Sequence, residues 1–403
     1  MCMTELIERP TYTERILPFV NKNIIKVLTG QRRVGKSCIL KQMQQHVKSN
    51  FADANIIYIN KELDDFVFMR SHEELTAYVN GKLKPEANNF LFIDEVQDID
   101  GFEITLRSLQ AKESCDIFIA GSNAKMLSSE LSTYLSGRYV EFYVSSLNYR
   151  EFLEFHGLEA SNRSLRDYLT FGGLPYLHNL PLEKDIVFEY LRNVYSTIIL
   201  KDVVKREGIR NVDFLETLAT YTADNVGNLF SANNISKYLK SQRVNMSTIQ
   251  VINYLKNLQN AYLIHKVKRI DIAGLRTFEI GDKYFFEDLG LRNCHSGFSM
   301  QQDINKLIEN AIFLHLFQKG YEVYTGQLGG GKEIDFVGKK DDRRIYVQAA
   351  YMIADENTRK REFGNLESIN DNYPKYVVSL DEWTSGSSIN GIEHIHLGEF
   401  LMK

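Results

Sequence analysis

Gly30-Gln31-Arg32-Arg33-Val34-Gly35-Lys36-Ser37 decides the fold of this chain. The octet fits G-x-x-x-x-G-K-[ST] in full, and its flanks fit as well. The apolar stretch Ile24-Ile25-Lys26-Val27-Leu28-Thr29 precedes it and reads as a strand; Ser37-Cys38-Ile39-Leu40-Lys41-Gln42-Met43 follows and opens a helix. Strand, glycine loop and helix N-terminus in that order make a phosphate cradle. The glycines let the backbone wrap an anion while successive N–H groups point inward. The helix adds the positive end of its dipole. Lys36 brings a point charge to the β and γ phosphates, and Ser37 offers a hydroxyl to Mg²⁺. The candidate nucleotide-binding residues are Gly30, Gln31, Arg32, Arg33, Val34, Gly35, Lys36, Ser37 and Cys38. A glycine turn with a chance lysine is the competing reading, and it leaves the flanking strand and helix unexplained. Backbone N–H groups do the binding, so the side chains of Arg32 and Arg33 have other uses. A partner, a nucleic acid and nearby acids all remain open for them.

Working outward, Phe90-Leu91-Phe92-Ile93-Asp94-Glu95 is a buried strand that delivers an acidic pair at its C-terminal end. Open parallel sheets bind ligands at that edge. Asp94 is the expected Mg²⁺ partner, directly or through water, and Glu95 the expected base that orients the attacking water. Asp116-Ile117-Phe118-Ile119-Ala120-Gly121-Ser122-Asn123 is a further apolar strand ending in small polar residues. Asn123 or Ser122 could bond the γ-phosphate or the water; an ordinary strand-to-loop cap explains them equally. With Ala54-Asn55-Ile56-Ile57-Tyr58-Ile59-Asn60, these runs alternate with helical sequence, the pattern of an α/β parallel sheet with crossover helices.

Composition bounds the rest. The chain has 403 residues, enough for two to four domains. Its 48 Lys+Arg against 52 Asp+Glu exclude a polybasic coat, though not a local basic face. No apolar run approaches a membrane span, so no membrane role is expected, and the N-terminal stretch lacks an apolar signal core, so secretion is not expected. Cys2, Cys38, Cys115 and Cys294 form no C-x-x-C, which fits a reducing cytoplasm. His394 and His396, or Cys294 beside His295, lack a visible third ligand for zinc.

The first 200 residues resemble the AAA+ branch of P-loop ATPases, and more closely a bacterial and archaeal family of ATPases with an AAA-type domain and a DUF4143-like C-terminal domain. The resemblance rests on TGQRRVGKS, LFIDEVQ, AGSNAKML, LSGRYVEFYVSSLNYREFL and FGGLPYL. It implies ATP and Mg²⁺ as ligands, with Glu95, Lys36, Asn123 and Arg138 as catalytic or sensing residues and Ser37 and Asp94 on the metal. Arg138, in Leu135-Ser136-Gly137-Arg138, matches the element that senses the γ-phosphate in cis or from a neighbouring subunit; a surface arginine packing on Tyr139 is the other reading. Phe171-Gly172-Gly173-Leu174-Pro175 matches a tight structural turn.

Three parts are expected: 1–205, 206–292 and 300–403, with Gly290–Gln302 as the linker before the third. Residues 226–290 resemble a winged helix. In its second helix Ile252, Leu255, Leu258 and Tyr262 recur at helical spacing. Thr248, Gln250, Asn253 and Lys256 would face outward to DNA, with Arg243, Lys266, Lys268, Arg269 and Arg276 on phosphates. Protein contact is the alternative use of the same surface. The last part resembles a PD-(D/E)xK nuclease, with Glu309 on a helix and Asp335 on a strand. The matching E-x-K reads Gln348-Ala349-Ala350, so its lysine is missing and a non-cleaving domain is expected. Lys332 stands before Asp335 and cannot be carried over to that position.

Overall fold

The computed structural model describes residues 6–124, 135–241, 246–272, 274, 281–294, 297–353, 355–381 and 386–403. The chain gathers into two compact units. The first comprises Met1–Ser145 with Asn260–Tyr262, and the second Ser146–Gln259 with Leu263–Lys403.

In the first unit the apolar runs become β1 (Ile25–Thr29), β2 (Ala54–Asn60), β3 (Asn88–Asp94) and β4 (Asp116–Gly121). A fifth strand, β5 (Tyr139–Tyr143), completes a sheet of order β2-β3-β4-β1-β5 in which every pairing is parallel. Parallel strands need crossovers, and helices α1 (Pro10–Ile16), α2 (Lys36–Asn50), α3 (His72–Lys82) and α4 (Phe102–Ala111) accompany them. Ile25, Val27, Ile57, Ile59, Leu91, Ile93, Ile117 and Ile119 form one core with Leu75, Val79, Leu106 and Leu109 from α3 and α4. β1 and β4 are buried along their whole length, which is why they read as continuous apolar runs. The chain turns from β1 into α2 through Gly30, which closes against the end of β5.

The second unit carries an eight-stranded sheet of order β12-β13-β11-β10-β9-β8-β6-β7. Its strands are β6 (Ile264–Asp271), β7 (Lys283–Phe286), β8 (Glu322–Gln327), β9 (Glu333–Lys340), β10 (Arg343–Ala349), β11 (Lys375–Ser379), β12 (Ser388–Ile389) and β13 (Ile392–His396). The strand pair expected as a wing is β6 with β7, and β6 also pairs in parallel with β8, so the pair belongs to the large sheet. The stretch expected as a linker is not one. Asp288 caps a short helix, Leu289–Asn293, whose Leu289, Leu291 and Asn293 are fully buried. Arg292 is buried too, donating to Ala223 O at 3.0 Å and to Asp303 at 3.0 Å. Polar residues made the segment look like a connector; here their bonds are satisfied internally. The glycine–proline turn is structural, as expected. Gly172 has φ +77°, a Cβ there would stand 2.4 Å from Gly290 N, and Gly173 N donates to Asp288 at 2.7 Å.

Candidate functional site

The phosphate loop lies at the C-terminal end of β1, inside the first unit. Gly30 takes φ +138°, Arg33 +71° and Gly35 +99°, so the backbone curls where only glycine is at ease at two of three positions. At Gly30 the need is absolute: a Cβ would stand 2.1 Å from Val144 O, a backbone atom that cannot yield. Gly30→Ala is therefore expected to cost at least about 1–3 kcal/mol from backbone strain alone. That corresponds to a fall of roughly 2–12 °C in melting temperature for a unit of this size, readable by calorimetry.

Lys36 is buried and folds back over the loop, donating to Gly30 O at 2.9 Å and Gln31 O at 2.8 Å. Val34 is fully buried and anchors the loop, while Cys38 is exposed. The loop is braced from below by a residue that the sequence reading passed over. Arg9 is buried and donates to Val34 O at 2.9 Å and Ser145 O at 3.0 Å. Its signal was faint: an arginine beside the apolar face of a short helix.

Asp94 and Glu95 stand at the C-terminal end of β3, beside the loop's strand order. Asp94 is buried, and burial pushes its carboxyl above the usual range, while a hydrogen bond from Ser37 pulls the other way. Its oxygen also accepts from Glu95 N at 3.1 Å. Ser37 and Asp94 thus come together as a hydroxyl and a carboxylate, both hard oxygen donors. That set fits Mg²⁺, which uses one or two protein ligands and takes the rest from water and nucleotide phosphates. Among the described residues no group of three or more His, Cys, Asp or Glu could hold a metal without such help.

Glu95 sits in a left-handed backbone conformation, φ +54° and ψ +48°, which turns its side chain away from the strand direction. Its Oε2 accepts from Ser122 Oγ at 3.1 Å and from the Gln97 amide. Ser122 and Asn123 are both buried at the end of β4, so the third motif does converge on the second. Arg32 donates to Glu62 at 2.9 Å and lies 3.9 Å from Glu95.

Arg138 does not join them. It is exposed and immediately precedes β5, with its carbonyl accepting from Ile25 N at 3.0 Å. Tyr139 is in register with Ile25, the first residue of β1, whereas the loop follows Thr29, the last. About 3.3 Å per residue puts Arg138 a whole strand, roughly 16 Å, from the loop of its own chain. Sensing in cis is therefore corrected: the motif matched in sequence, but β5 runs parallel to β1 and enters at the wrong edge.

Asn260–Tyr262 belong to this unit although their sequence neighbours on both sides belong to the other. Gln31 Nε2 donates to Tyr262 O at 3.1 Å, and Ala124 N donates to Asn260 O at 2.9 Å. Two loops at the phosphate edge thus hold this short segment.

In the second unit, the helix Thr248–Asn260 buries Val251, Leu255 and Leu258. Ile252, expected inside, is half exposed and Ile249 largely exposed, because the buried face runs through Val251 instead. Gln250, Asn253 and Lys256 are exposed and Thr248 partly so. Lys268 is exposed, Lys266 pairs with Asp282 at 2.7 Å, and Arg269 bonds Gln327. Arg243, Arg276 and His295 lie outside the described residues.

The acids of the C-terminal part do meet. A cavity of about 400 Å³ is lined by Glu309, Asp335, Gln348 and Glu362 among others. Asp335 accepts from Ala349 N at 2.9 Å. Lys283, from β7, is buried and stands 3.9 Å from both Glu309 and Asp335 and 2.7 Å from Glu333. Burial works against its charge, but the three carboxylates outweigh burial and raise its pKa. Burial and the neighbouring acids push Glu309 up to about 8. Folded Glu309 therefore keeps a proton that the unfolded chain has lost. Its contribution to stability is complete below the unfolded value of 4.5 and is lost as pH rises through about 8. Glu309→Gln removes that loss. Its melting temperature is expected to match the wild type near pH 4 and exceed it near pH 9.

Comparison with known proteins follows this geometry. Residues 22–153 match the family model of an AAA domain, and residues 162–302 match a Domain of unknown function (DUF8612). The model matched over 162–302 is thus DUF8612, and the DUF4143-like expectation is not confirmed by it. An uncharacterized protein of Haemophilus influenzae is 34% identical over 406 residues, covering 99% of each chain. An uncharacterized protein of Methanocaldococcus jannaschii is 29% identical over 364 residues, 86% of this chain and 78% of its own. Among solved structures, Aeropyrum pernix ORC1 in complex with DNA covers 75% of this chain and 92% of its own at 11% identity. At a TM-score of 0.30 that likeness carries no argument.

Proposed function

We propose that this chain, which belongs to the same family as the Haemophilus influenzae protein and carries an AAA domain at residues 22–153, is a Mg²⁺-dependent ATPase. The observation that carries the reading is the convergence of Lys36, Ser37, Asp94, Glu95 and Ser122 at one edge of a parallel sheet. Mg²⁺ held by Ser37, Asp94 and the nucleotide would neutralise phosphate charge. Glu95 would hold the attacking water, and Asn123 would contact it or the γ-phosphate. Arg138 would act only from a neighbouring copy.

Hydrolysis would move the second unit, in which the winged-helix-like stretch 206–292 and the nuclease-like stretch 300–403 share one sheet. The grip of Gln31 and Ala124 on Tyr262 and Asn260 supports that coupling. The partner is DNA or a protein. Exposed Gln250, Asn253, Lys256 and Lys268 favour the first, exposed Ile249 and Ile252 the second. The test is hydrolysis by the full chain with and without duplex and single-stranded DNA. Stimulation by DNA that fades with added salt supports a DNA partner. Indifference to DNA supports a protein. Among the described residues no helix is long and apolar enough to cross a membrane. We place the work in the cytoplasm, where Cys38, Cys115 and Cys294 would stay as the free thiols seen here.

Lys283 favours a second reading, metal-dependent phosphodiester cleavage in the cavity. The amine missing from the E-x-K position reaches the two acids from β7 instead. Glu309, Asp335 and the Gln348 amide oxygen would hold the ion. Incubation of DNA with Mg²⁺ or Mn²⁺ tests it: nicking lost in Asp335→Ala supports cleavage, and intact DNA in both proteins retires it.

A further inference from the structure

Arg32 belongs to the phosphate loop, and its side chain reaches toward acids. It is buried and reaches two carboxylates, Glu62 at 2.9 Å and Glu95 at 3.9 Å. Glu62 is held at the end of β2, where its N–H donates to Asn60 Oδ1 at 2.9 Å, and its carboxylate is half exposed. Glu95 Oε2 accepts from Ser122 and Gln97, and its Oε1 faces the Arg32 guanidinium at 3.9 Å. Two donors on one oxygen and a cation facing the other hold this carboxylate in one orientation. Of these contacts, the guanidinium comes from the loop that nucleotide must occupy.

We propose that Arg32 is a positioning residue that restrains Glu95, with Glu62 as the counterweight that draws the guanidinium away from it. The inference rests on the ATPase reading above and on Glu95 as its base. The arrangement makes opposite predictions for the two partners. Without Arg32 the carboxylate is released. Without the Glu62 charge, the guanidinium keeps Glu95 as its nearest acid and holds it harder.

The experiment is steady-state ATP hydrolysis by the full chain, with kcat and KM separated, for wild type, Arg32→Gln, Glu62→Gln, the double variant and Lys36→Ala. Arg32→Gln is expected to raise kcat about fivefold, the ratio that accompanies one partly exposed ion pair. Its KM should hold, because the backbone N–H that would bind phosphate is kept. Glu62→Gln is expected to lower kcat at unchanged KM, and the double variant to follow Arg32→Gln. A merely structural role would make both single variants fall, with their losses adding in the double. Turnover abolished by Lys36→Ala but not raised by Arg32→Gln overturns the restraint alone. Turnover equal in wild type and Lys36→Ala overturns the ATPase reading and the restraint together. Melting curves of Arg32→Gln keep a folding defect separate from a catalytic one.

Discussion

Lys36→Ala is expected to weaken ATP binding by at least about a hundredfold, as befits the loss of a desolvated charge-assisted contact to phosphate. The folded chain keeps this ammonium buried, donating to Gly30 O and Gln31 O across the mouth of the loop. Those carbonyls fix the amine where β and γ phosphates would arrive, so little reorganisation is needed on binding. Alanine leaves the backbone nest intact but removes its point charge. The loss should therefore fall on affinity and turnover alike, with a smaller change in melting temperature than Gly30→Ala. Titration with a fluorescent ATP analogue reads the first, and phosphate release the second. Unchanged affinity in Lys36→Ala would remove the loop from the nucleotide site.

Glu95→Gln is expected to separate those two readouts. The side chain is buried and oriented by its left-handed backbone and by Ser122 and Gln97, all of which a glutamine can still engage. What glutamine cannot do is take a proton from water. Turnover should fall by about 10²–10⁴-fold, the usual worth of a positioned general base, while ATP binding holds. Phosphate release against nucleotide titration on the same preparation checks this. A Glu95→Gln protein that hydrolyses at the wild-type rate would transfer the role of base to another group.

The phosphate loop and the acidic strand were legible because both are local. A glycine octet between a strand and a helix, and an apolar run ending in Asp-Glu, carry their geometry in consecutive residues. The central strands β1, β3 and β4 were legible for the same reason, since burial on both faces demands continuous apolar sequence. β5 was not. Tyr139–Tyr143 lies at the sheet edge with only Phe142 buried, so its sequence lacks that signature. The misplacement of Arg138 followed from it: the Gly-Arg element was visible, but the edge at which β5 enters was not.

The amino-acid sequence by itself determined that this chain sets a glycine loop between a strand of a parallel sheet and a helix, and which lysine, hydroxyl and acidic pair stand at that edge. Short-range backbone geometry and hydrophobic burial suffice for that. Tertiary structure alone decided which distant groups meet. It set Arg32 between Glu62 and Glu95, Arg9 beneath the loop, and Lys283 among Glu309, Glu333 and Asp335. These are contacts between charges far apart in sequence. Their strength depends on separation and burial, which no local pattern of residues encodes.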